Sequence, residues 1–119
     1  MILVRVAYRG ESSMTETEFL AAAEATLQAI EGALDATAVD VDLERSGNVL
    51  TLAFEDGSRA VINTQAPARQ IWVAARSGAH HYALREGTWV DTRDGSELFA
   101  ALSRIVSSLC ASSFLSSKL

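Results

Sequence analysis

The acidic residues of the chain are concentrated in one segment, and their type predicts a site for a cation. Residues 14–44 contain eight carboxylates and no Lys or Arg, whereas the chain as a whole has a net charge of only −5. Like charges on one helix face are mildly destabilising, which favours a functional reason for them. Carboxylates without His or Cys favour hard cations, held weakly and exchangeably. The candidate metal ligands are Glu24, Glu31, Asp35, Asp40, Asp42 and Glu44. A merely solvated helix and strand edge is the alternative interpretation.

A second candidate site surrounds Trp72. In a strand with alternating side chains, Gln70 and Trp72 share one face, and Asn63 of the preceding strand is expected beside them. A tryptophan among amides on an uncovered sheet face is typical of a binding surface. The alternative is a tryptophan that lies flat and covers neighbouring strands. Trp89, by contrast, is predicted to lie in the core.

The histidines and the cysteine of the chain do not form a recognisable metal site or catalytic site. His80 and His81 are adjacent in a predicted strand, so their side chains point to opposite faces and cannot hold one metal together. Cys110 is interpreted as a structural thiol rather than a nucleophile. The sequence contains no phosphate-binding glycine loop, zinc motif or nucleophile elbow. The sequence therefore gives no sign of a catalytic centre.

The element that carries the first carboxylates is a predicted helix. Thr15 and Glu18 have the spacing of a capping box, which marks a helix start. Apolar residues then recur at helical spacing, which predicts a helix from about Glu16 to Asp35. Glu24, Glu31 and Asp35 are expected along one edge of its apolar face.

The elements that follow are predicted strands. Residues 39–44 alternate between apolar and acidic side chains, and hairpin signals follow at Ser46-Gly47-Asn48 and Asp56-Gly57. Further alternation predicts strands at 50–54, 59–64, 70–76, 80–85 and 88–91, and then a helix with Ser96 as its candidate N-cap. The predicted fold class is α+β. It is a two-layer α-β sandwich, with an antiparallel sheet of about six strands and the N- and C-terminal helices packed on one face.

Length and composition fit one compact domain. The 119 residues are 49% apolar and include a single cysteine, so a disulfide scaffold is excluded. No apolar run approaches the roughly 20 residues that span a bilayer, so no membrane partner is expected. The acidic surface argues against nucleic acid. We expect residues 1–13 to be an N-terminal extension, 14–111 the domain and 112–119 a serine-rich tail.

The sequence from Asn63 to Ala74, NTQAPARQIWVA, resembles the frataxin family in its bacterial form. The resemblance includes the preceding Asp-Gly hairpin and the later Gly-Thr-Trp-Val and Arg-Asp-Gly segments, and it covers nearly all of residues 14–111. It implies a non-enzymatic role in iron–sulfur cluster assembly in the bacterial cytoplasm. Weak, reversible binding of Fe²⁺ or Fe³⁺ is implied, as are a cysteine desulfurase and the cluster scaffold protein as partners. A monomer without iron is expected.

The resemblance also assigns roles to residues by their position. The family's iron-binding acidic ridge would comprise Glu31, Asp35, Asp40, Asp42 and Glu44, with Glu24 and Glu18 extending it. The family's partner-binding surface would comprise Asn63, Gln65, Gln70, Trp72 and His81. The loop at residues 36–38 is short and uncharged where many bacterial relatives carry aspartates, which implies a reduced capacity for iron.

Two other functions remain as alternatives. A secretion chaperone of this size would also be acidic and α+β, but it would dimerise and bind an unfolded segment. A ferroxidase would need paired iron sites of fixed geometry, usually with bridging carboxylates and histidines. Oligomeric state and catalytic oxygen consumption distinguish these alternatives from an iron-binding assembly protein.

Overall fold

The computed structural model describes the backbone of residues 14–37 and 40–118, and side chains as far as Ser108. Residues 1–13, predicted to be an extension, and the side chains of Cys110 and of the serine-rich tail lie outside these described residues. Among the described residues, no helix is both long and apolar enough to cross a membrane.

Helix α1 spans Glu16–Asp35, as predicted. The amide of Glu18 donates to Thr15 Oγ1 at 3.0 Å, and the amide of Thr15 donates to Glu18 Oε1 at 3.0 Å. This reciprocal pair is the predicted capping box, which satisfies amides that the helix itself leaves unpaired. The apolar face of α1 buries Phe19, Leu27 and Ile30. The capping box therefore fixes the residue at which α1 begins.

Six strands form one antiparallel sheet in which each strand pairs with its neighbours in sequence. They are β1 (Val41–Ser46), β2 (Val49–Phe54), β3 (Arg59–Gln65), β4 (Gln70–Ala75), β5 (Gly78–Arg85) and β6 (Thr88–Asp91). Strands β1 and β6 are therefore the two edges of the sheet. All six strands were predicted, and their ends differ from the predictions by no more than two residues.

One face of the sheet is buried and the other is open. On the inner strands every second residue is buried or half-buried, and Leu52, Ile62, Ile71 and Val73 are fully buried. These side chains form one core with the apolar faces of the two helices, which therefore pack on the same side of the sheet. Burial of each such side chain stabilises the fold by about 1.5–3 kcal/mol. The opposite face carries no helix in the described residues.

Helix α2 spans Leu98–Lys118, and its N-cap differs from the prediction. Ser96 was the candidate, but the carboxylate of Glu97 accepts hydrogen bonds from the amides of Phe99 and Ala100, both at 2.9 Å. Since the helix begins at Leu98, Glu97 occupies the preceding cap position, where an acidic group also suits the helix dipole. The predicted cap at Ser96 was therefore wrong by one residue.

Trp89 lies in the core between α1 and the sheet, as predicted. Its side chain meets the ring of Phe19 edge to face, with centroids 6.0 Å apart. Its indole N–H donates to Thr26 Oγ1 at 2.8 Å, and the Thr26 hydroxyl donates to the carbonyl of Ala22 at 2.8 Å. A buried indole N–H without an acceptor would be costly, so Thr26 makes the position of Trp89 in the core possible.

Candidate functional site

The edge strand β1 directs its acidic and apolar side chains to opposite faces. Val41 pairs with Phe54 and Leu43 with Leu52, so Val41 and Leu43 share the helix-covered face with these buried partners. Asp42 and Glu44 alternate with them and are exposed on the open face. The predicted strand with an acidic outer face is thus confirmed.

Arg45 lies on the inner face of β1 and reaches two carboxylates of α1. One of its guanidinium nitrogens lies 2.5 Å from Glu24 Oε1 and another lies 3.2 Å from Glu31 Oε1. The absence of Lys and Arg from residues 14–44 predicted that Glu24, Glu31 and Asp35 have no basic partner, and for Glu24 and Glu31 that expectation was wrong. The reason is strand alternation, because Arg45 takes the next inward position after Leu43 and so faces the helix.

The ion pair changes the acidity of Glu24. The hydrogen bond from Arg45, and secondly the hydrogen bond from the Gln28 amide, hold the pKa of Glu24 below its ordinary value of 4.5. A carboxylate that Arg45 already engages must give up that contact before it binds a metal. Glu24 and Glu31 are thereby less available to a cation than the other predicted ligands.

The remaining predicted ligands are accessible. Asp35, Asp40, Asp42 and Glu44 are exposed and make no ion pair or hydrogen bond with another described residue. Within the described residues, however, no group of three His, Cys, Asp or Glu side chains is close enough to hold a metal ion. The donors suit a hard cation such as Fe²⁺ or Fe³⁺, but only through one or two carboxylates, with water as the other ligands. Such an arrangement fits weak and exchangeable binding.

The open face of the sheet brings the predicted partner-binding residues together. Asn63 pairs with Trp72 across β3 and β4, and Trp72 pairs with His81 across β4 and β5. The rings of Trp72 and His81 stack with centroids 4.3 Å apart and planes 16° apart. The indole N–H of Trp72 donates to Gln70 Oε1 at 2.8 Å, and Gln65 is the register partner of Gln70. The five residues thus form one surface, here called the tryptophan surface (Asn63, Gln65, Gln70, Trp72 and His81).

The two histidines point to opposite faces, as predicted. His81 is exposed beside Trp72, whereas His80 Nδ1 lies 2.9 Å from the buried carboxylate of Asp91. Asp91 was not among the residues predicted from the sequence. Its position at the end of β6, two residues after the core residue Trp89, was the available signal for an inward-facing carboxylate.

Asp91 is buried and nevertheless ionised. Burial raises the pKa of its carboxyl, but hydrogen bonds from the Arg93 amide, from His80 and from the Asp94 amide outweigh this effect and lower it below its ordinary value. The two amide contacts measure 2.7 Å and 3.3 Å at Asp91 Oδ1. Asp91 therefore anchors both the imidazole of His80 and the turn before α2.

Comparison with known proteins identifies the same fold and similar sequences. A family model described as a frataxin-like domain matches residues 12–112. The iron-sulfur cluster assembly protein CyaY of Paraburkholderia xenovorans is 54% identical over 90 residues, which cover 76% of this chain and 86% of the relative. CyaY of Ralstonia nicotianae is 51% identical over 98 residues, which cover 79% of this chain and 87% of the relative.

Two solved structures are similar in fold and sequence. Frataxin from Psychromonas ingrahamii superposes with a TM-score of 0.77 at 36% identity, covering 80% of this chain and 90% of that chain. Trimeric frataxin from Saccharomyces cerevisiae, in complex with ferrous iron, gives a TM-score of 0.66 at 32% identity, covering 76% and 86%.

Proposed function

The chain belongs to the frataxin family, and from that premise we propose that it is an iron-binding protein of iron–sulfur cluster assembly without catalysis of its own. Relatives that are about 50% identical to this chain are named iron–sulfur cluster assembly proteins. A structure of a more distant relative is described as a complex with ferrous iron. We further propose that this chain acts in the bacterial cytoplasm as a monomer when iron is absent.

The iron contacts are proposed to be the carboxylates that Arg45 does not engage. We define the acidic edge as Asp35, Asp40, Asp42 and Glu44. Asp42 and Glu44 are two residues apart on one strand face, so their α-carbons are separated by about 7 Å. At this spacing each carboxylate offers oxygens to a hydrated cation, while water fills the remaining positions. Iron held in this way exchanges readily, which suits delivery or sensing.

The observation that carries the proposal is that Asp42 and Glu44 of the acidic edge lie on the same sheet face as the tryptophan surface. Glu44 and Asp42 are directed to the same open face as Asn63 and Trp72, because all of them alternate with buried residues in a continuous register. Strands β1 and β4 are three strand spacings apart, or about 14 Å. A single partner protein can therefore contact both regions at once.

The partners proposed for this face are a cysteine desulfurase and the cluster scaffold protein. Anionic residues at the edge would attract a basic patch of the desulfurase, which raises the association rate and makes it depend on salt. Trp72 and the amides would supply the short-range contacts. Bound iron would neutralise part of the edge, so iron occupancy and docking are expected to be coupled.

The test is a pair of double variants with equal change of charge. Asp42→Asn/Glu44→Gln removes two outward charges of the edge, whereas Glu16→Gln/Glu86→Gln removes two exposed charges elsewhere. Under anaerobic conditions, Fe²⁺ is expected to broaden the amide signals of β1 in the control variant and in the unmodified protein, but much less in the edge variant. Desulfurase binding should weaken by about tenfold at low salt in the edge variant alone.

Equal losses in both variants would show that only net charge matters and would contradict a defined edge. Oxygen consumption measured in the same Fe²⁺ titration separates the ferroxidase alternative. Catalytic turnover there would contradict a non-enzymatic role.

A further inference from the structure

A cavity on the helix-covered side of the molecule lies outside both the acidic edge and the tryptophan surface. It has a volume of about 380 Å³ and opens between strands β4 to β6 and helix α2. Its apolar wall includes Ala101 and Ile105. Its polar wall includes Tyr82, Asp94 and Arg104. This volume is in the lower part of the range of about 300–1,000 Å³ that small-molecule sites occupy.

The hydroxyl of Tyr82 is an unused donor in this cavity. Tyr82 is only 1% exposed, yet its hydroxyl makes no hydrogen bond with any described residue. Among the described residues, every fully buried side-chain oxygen or nitrogen has a hydrogen-bond partner. Since the Tyr82 hydroxyl has no such partner, it is not fully buried and must be exposed to the cavity. A polar group held in a buried ring and left open to a cavity is suited to a ligand.

Several charges act on the phenol of Tyr82. Burial raises the pKa of Tyr82, Asp91, Asp94 and Glu97 raise it further, and Arg104 lowers it. These charges therefore lie within electrostatic range of the phenol, which remains protonated at neutral pH and able to donate.

Two opposite charges in the cavity wall do not neutralise each other. Arg104 makes no hydrogen bond or ion pair with a described residue. Asp94 accepts hydrogen bonds from the amide of Ser96, at 2.9 Å, and from the Ser96 hydroxyl, but it makes no ion pair in the described part of the chain. Asp91, in contrast, is already satisfied by His80 and by two backbone amides.

Arg76 also lines the cavity but forms an ion pair with Asp56 at 3.2 Å. Arg104 and Asp94 are therefore the opposite charges of the wall without an ion-pair partner among the described residues, and they lie with the Tyr82 hydroxyl and several serine hydroxyls beside an apolar wall.

We propose that this cavity binds a small zwitterion of the α-amino acid class. The carboxylate of the ligand is bound by Arg104 and the Tyr82 hydroxyl, and its ammonium group is bound by Asp94. The aliphatic part packs against Ala101 and Ile105. An anion alone would leave Asp94 unpaired beside it, and a cation alone would leave Arg104 unpaired. The proposal does not depend on iron binding or on any partner protein.

The primary test uses the full-length protein without iron and follows its ¹H–¹⁵N NMR spectrum. The probes are pools of the standard L-amino acids, added at millimolar concentrations. The same pools are then added as N-acetyl derivatives, which lack the ammonium group, and as methyl esters, which lack the carboxylate. At least one free amino acid is expected to shift the amide signals of Tyr82, Asp94 and Arg104, whereas its two derivatives are expected to bind about tenfold more weakly.

Three variants and one control assign the contacts. Arg104→Gln is expected to weaken the binding of the responding amino acid about tenfold and Tyr82→Phe several-fold. Asp94→Asn is expected to remove the preference for the free amino acid over its N-acetyl derivative. Arg85→Gln changes an exposed arginine on the open face and should leave binding unchanged. Thermal unfolding of each variant verifies that it is folded. If Arg104→Gln does not fold, the loss of preference in Asp94→Asn tests the proposal instead.

The outcomes are decisive in both directions. Absence of any response to all pools would overturn the proposal. Equal binding of the free and N-acetyl forms would also overturn it, because the site would then recognise an anion only. A selective response that Arg104→Gln abolishes and Arg85→Gln preserves would establish the site.

Discussion

Arg45 of the edge strand β1 forms an ion pair with Glu31 of helix α1, 3.2 Å between guanidinium nitrogen and carboxylate oxygen. This contact joins the two elements that carry the acidic residues, and it sorts those residues into two groups. Glu24 and Glu31 are engaged by Arg45. Asp35, Asp40, Asp42 and Glu44 are exposed and available to a cation or to a basic partner.

Replacing Arg45 is expected to release Glu24 and Glu31. In Arg45→Gln, the pKa of Glu24 should rise towards its ordinary value of 4.5, because its strongest hydrogen bond is lost. Fe²⁺ should then broaden the signals of the residues around Glu24, which it affects little in the unmodified protein. Carboxyl-detected NMR titration and the anaerobic iron titration measure the two effects.

The same contact has a predictable pH dependence. Since the pKa of Glu24 is lowered in the folded state, its contribution to stability is present above the ordinary value of 4.5 and is lost as the pH falls through the lowered pKa. Urea unfolding of the unmodified protein should show this loss in the acid range, and Arg45→Gln should show less of it. Identical acid profiles would contradict the assignment of the shift to Arg45.

Trp72 is expected to contribute to partner binding much more than to folding. Trp72→Ala removes the ring that stacks on His81 and should weaken cysteine desulfurase binding by tenfold or more, as is typical of an aromatic hot spot. Calorimetry of the complex measures this effect. Thr88→Ala, an exposed residue on the same face but on edge strand β6, is the control and should bind normally. A similar loss in both variants would argue against a localised surface.

Asp91 is expected to stabilise the turn before α2. Asp91→Asn should lower the free energy of unfolding by about 2 kcal/mol at neutral pH, because its hydrogen bonds to His80 and to the Arg93 amide lose their charge. Since the pKa of Asp91 is lowered in the folded state, its stabilisation is present above its ordinary value of 3.8 and is lost as the pH falls through the lowered pKa. Urea unfolding at several pH values measures both effects.

The exposed Asp42→Asn is the control for Asp91→Asn and should change stability by less than about 0.5 kcal/mol. An acid-range profile of Asp91→Asn that matches that of the unmodified protein would show that Asp91 is not the group responsible.

Thr26 is expected to stabilise the core through its bond to Trp89. Thr26→Val keeps the shape of the side chain but leaves the buried indole N–H without its acceptor, at a cost of about 1–3 kcal/mol. Urea denaturation provides the free energy of unfolding. Thr17→Val on an exposed position of the same helix controls for the helix propensity of valine. If the two substitutions cost the same, the hydrogen bond to Trp89 contributes nothing.

Most of the fold could be predicted because its signals are local. The capping box at Thr15 and Glu18 fixed the start of α1, and the alternation in each strand fixed which side chains face the core. The tryptophan surface followed from the same alternation, since register in a sheet with one buried face is strongly specified. The functional roles of these residues remain predictions.

One error arose where a contact joins residues far apart in the chain. Arg45 lies 21 residues from Glu24 and 14 from Glu31, so a count of charges within residues 14–44 did not include the base that pairs with them. The cap of α2 was misplaced because serine is a preferred cap residue and glutamate is not, yet it is Glu97 that accepts from the first helical amides. The tertiary structure places the cap at Glu97, because Glu97 forms a β-bridge with Val90 and the helix begins at the next residue, Leu98.

The amino-acid order alone determined the α+β class, the six strands, both helices and the direction of each side chain from the sheet, since these depend on periodicity and local hydrogen bonds. The tertiary structure decided which charges meet. It paired Arg45 with two of the carboxylates, stacked His81 on Trp72, and left Tyr82, Asp94 and Arg104 around one cavity. Whether two charged side chains neutralise each other depends on the distance between them. When they lie on different helices or strands, the packing of those elements sets that distance.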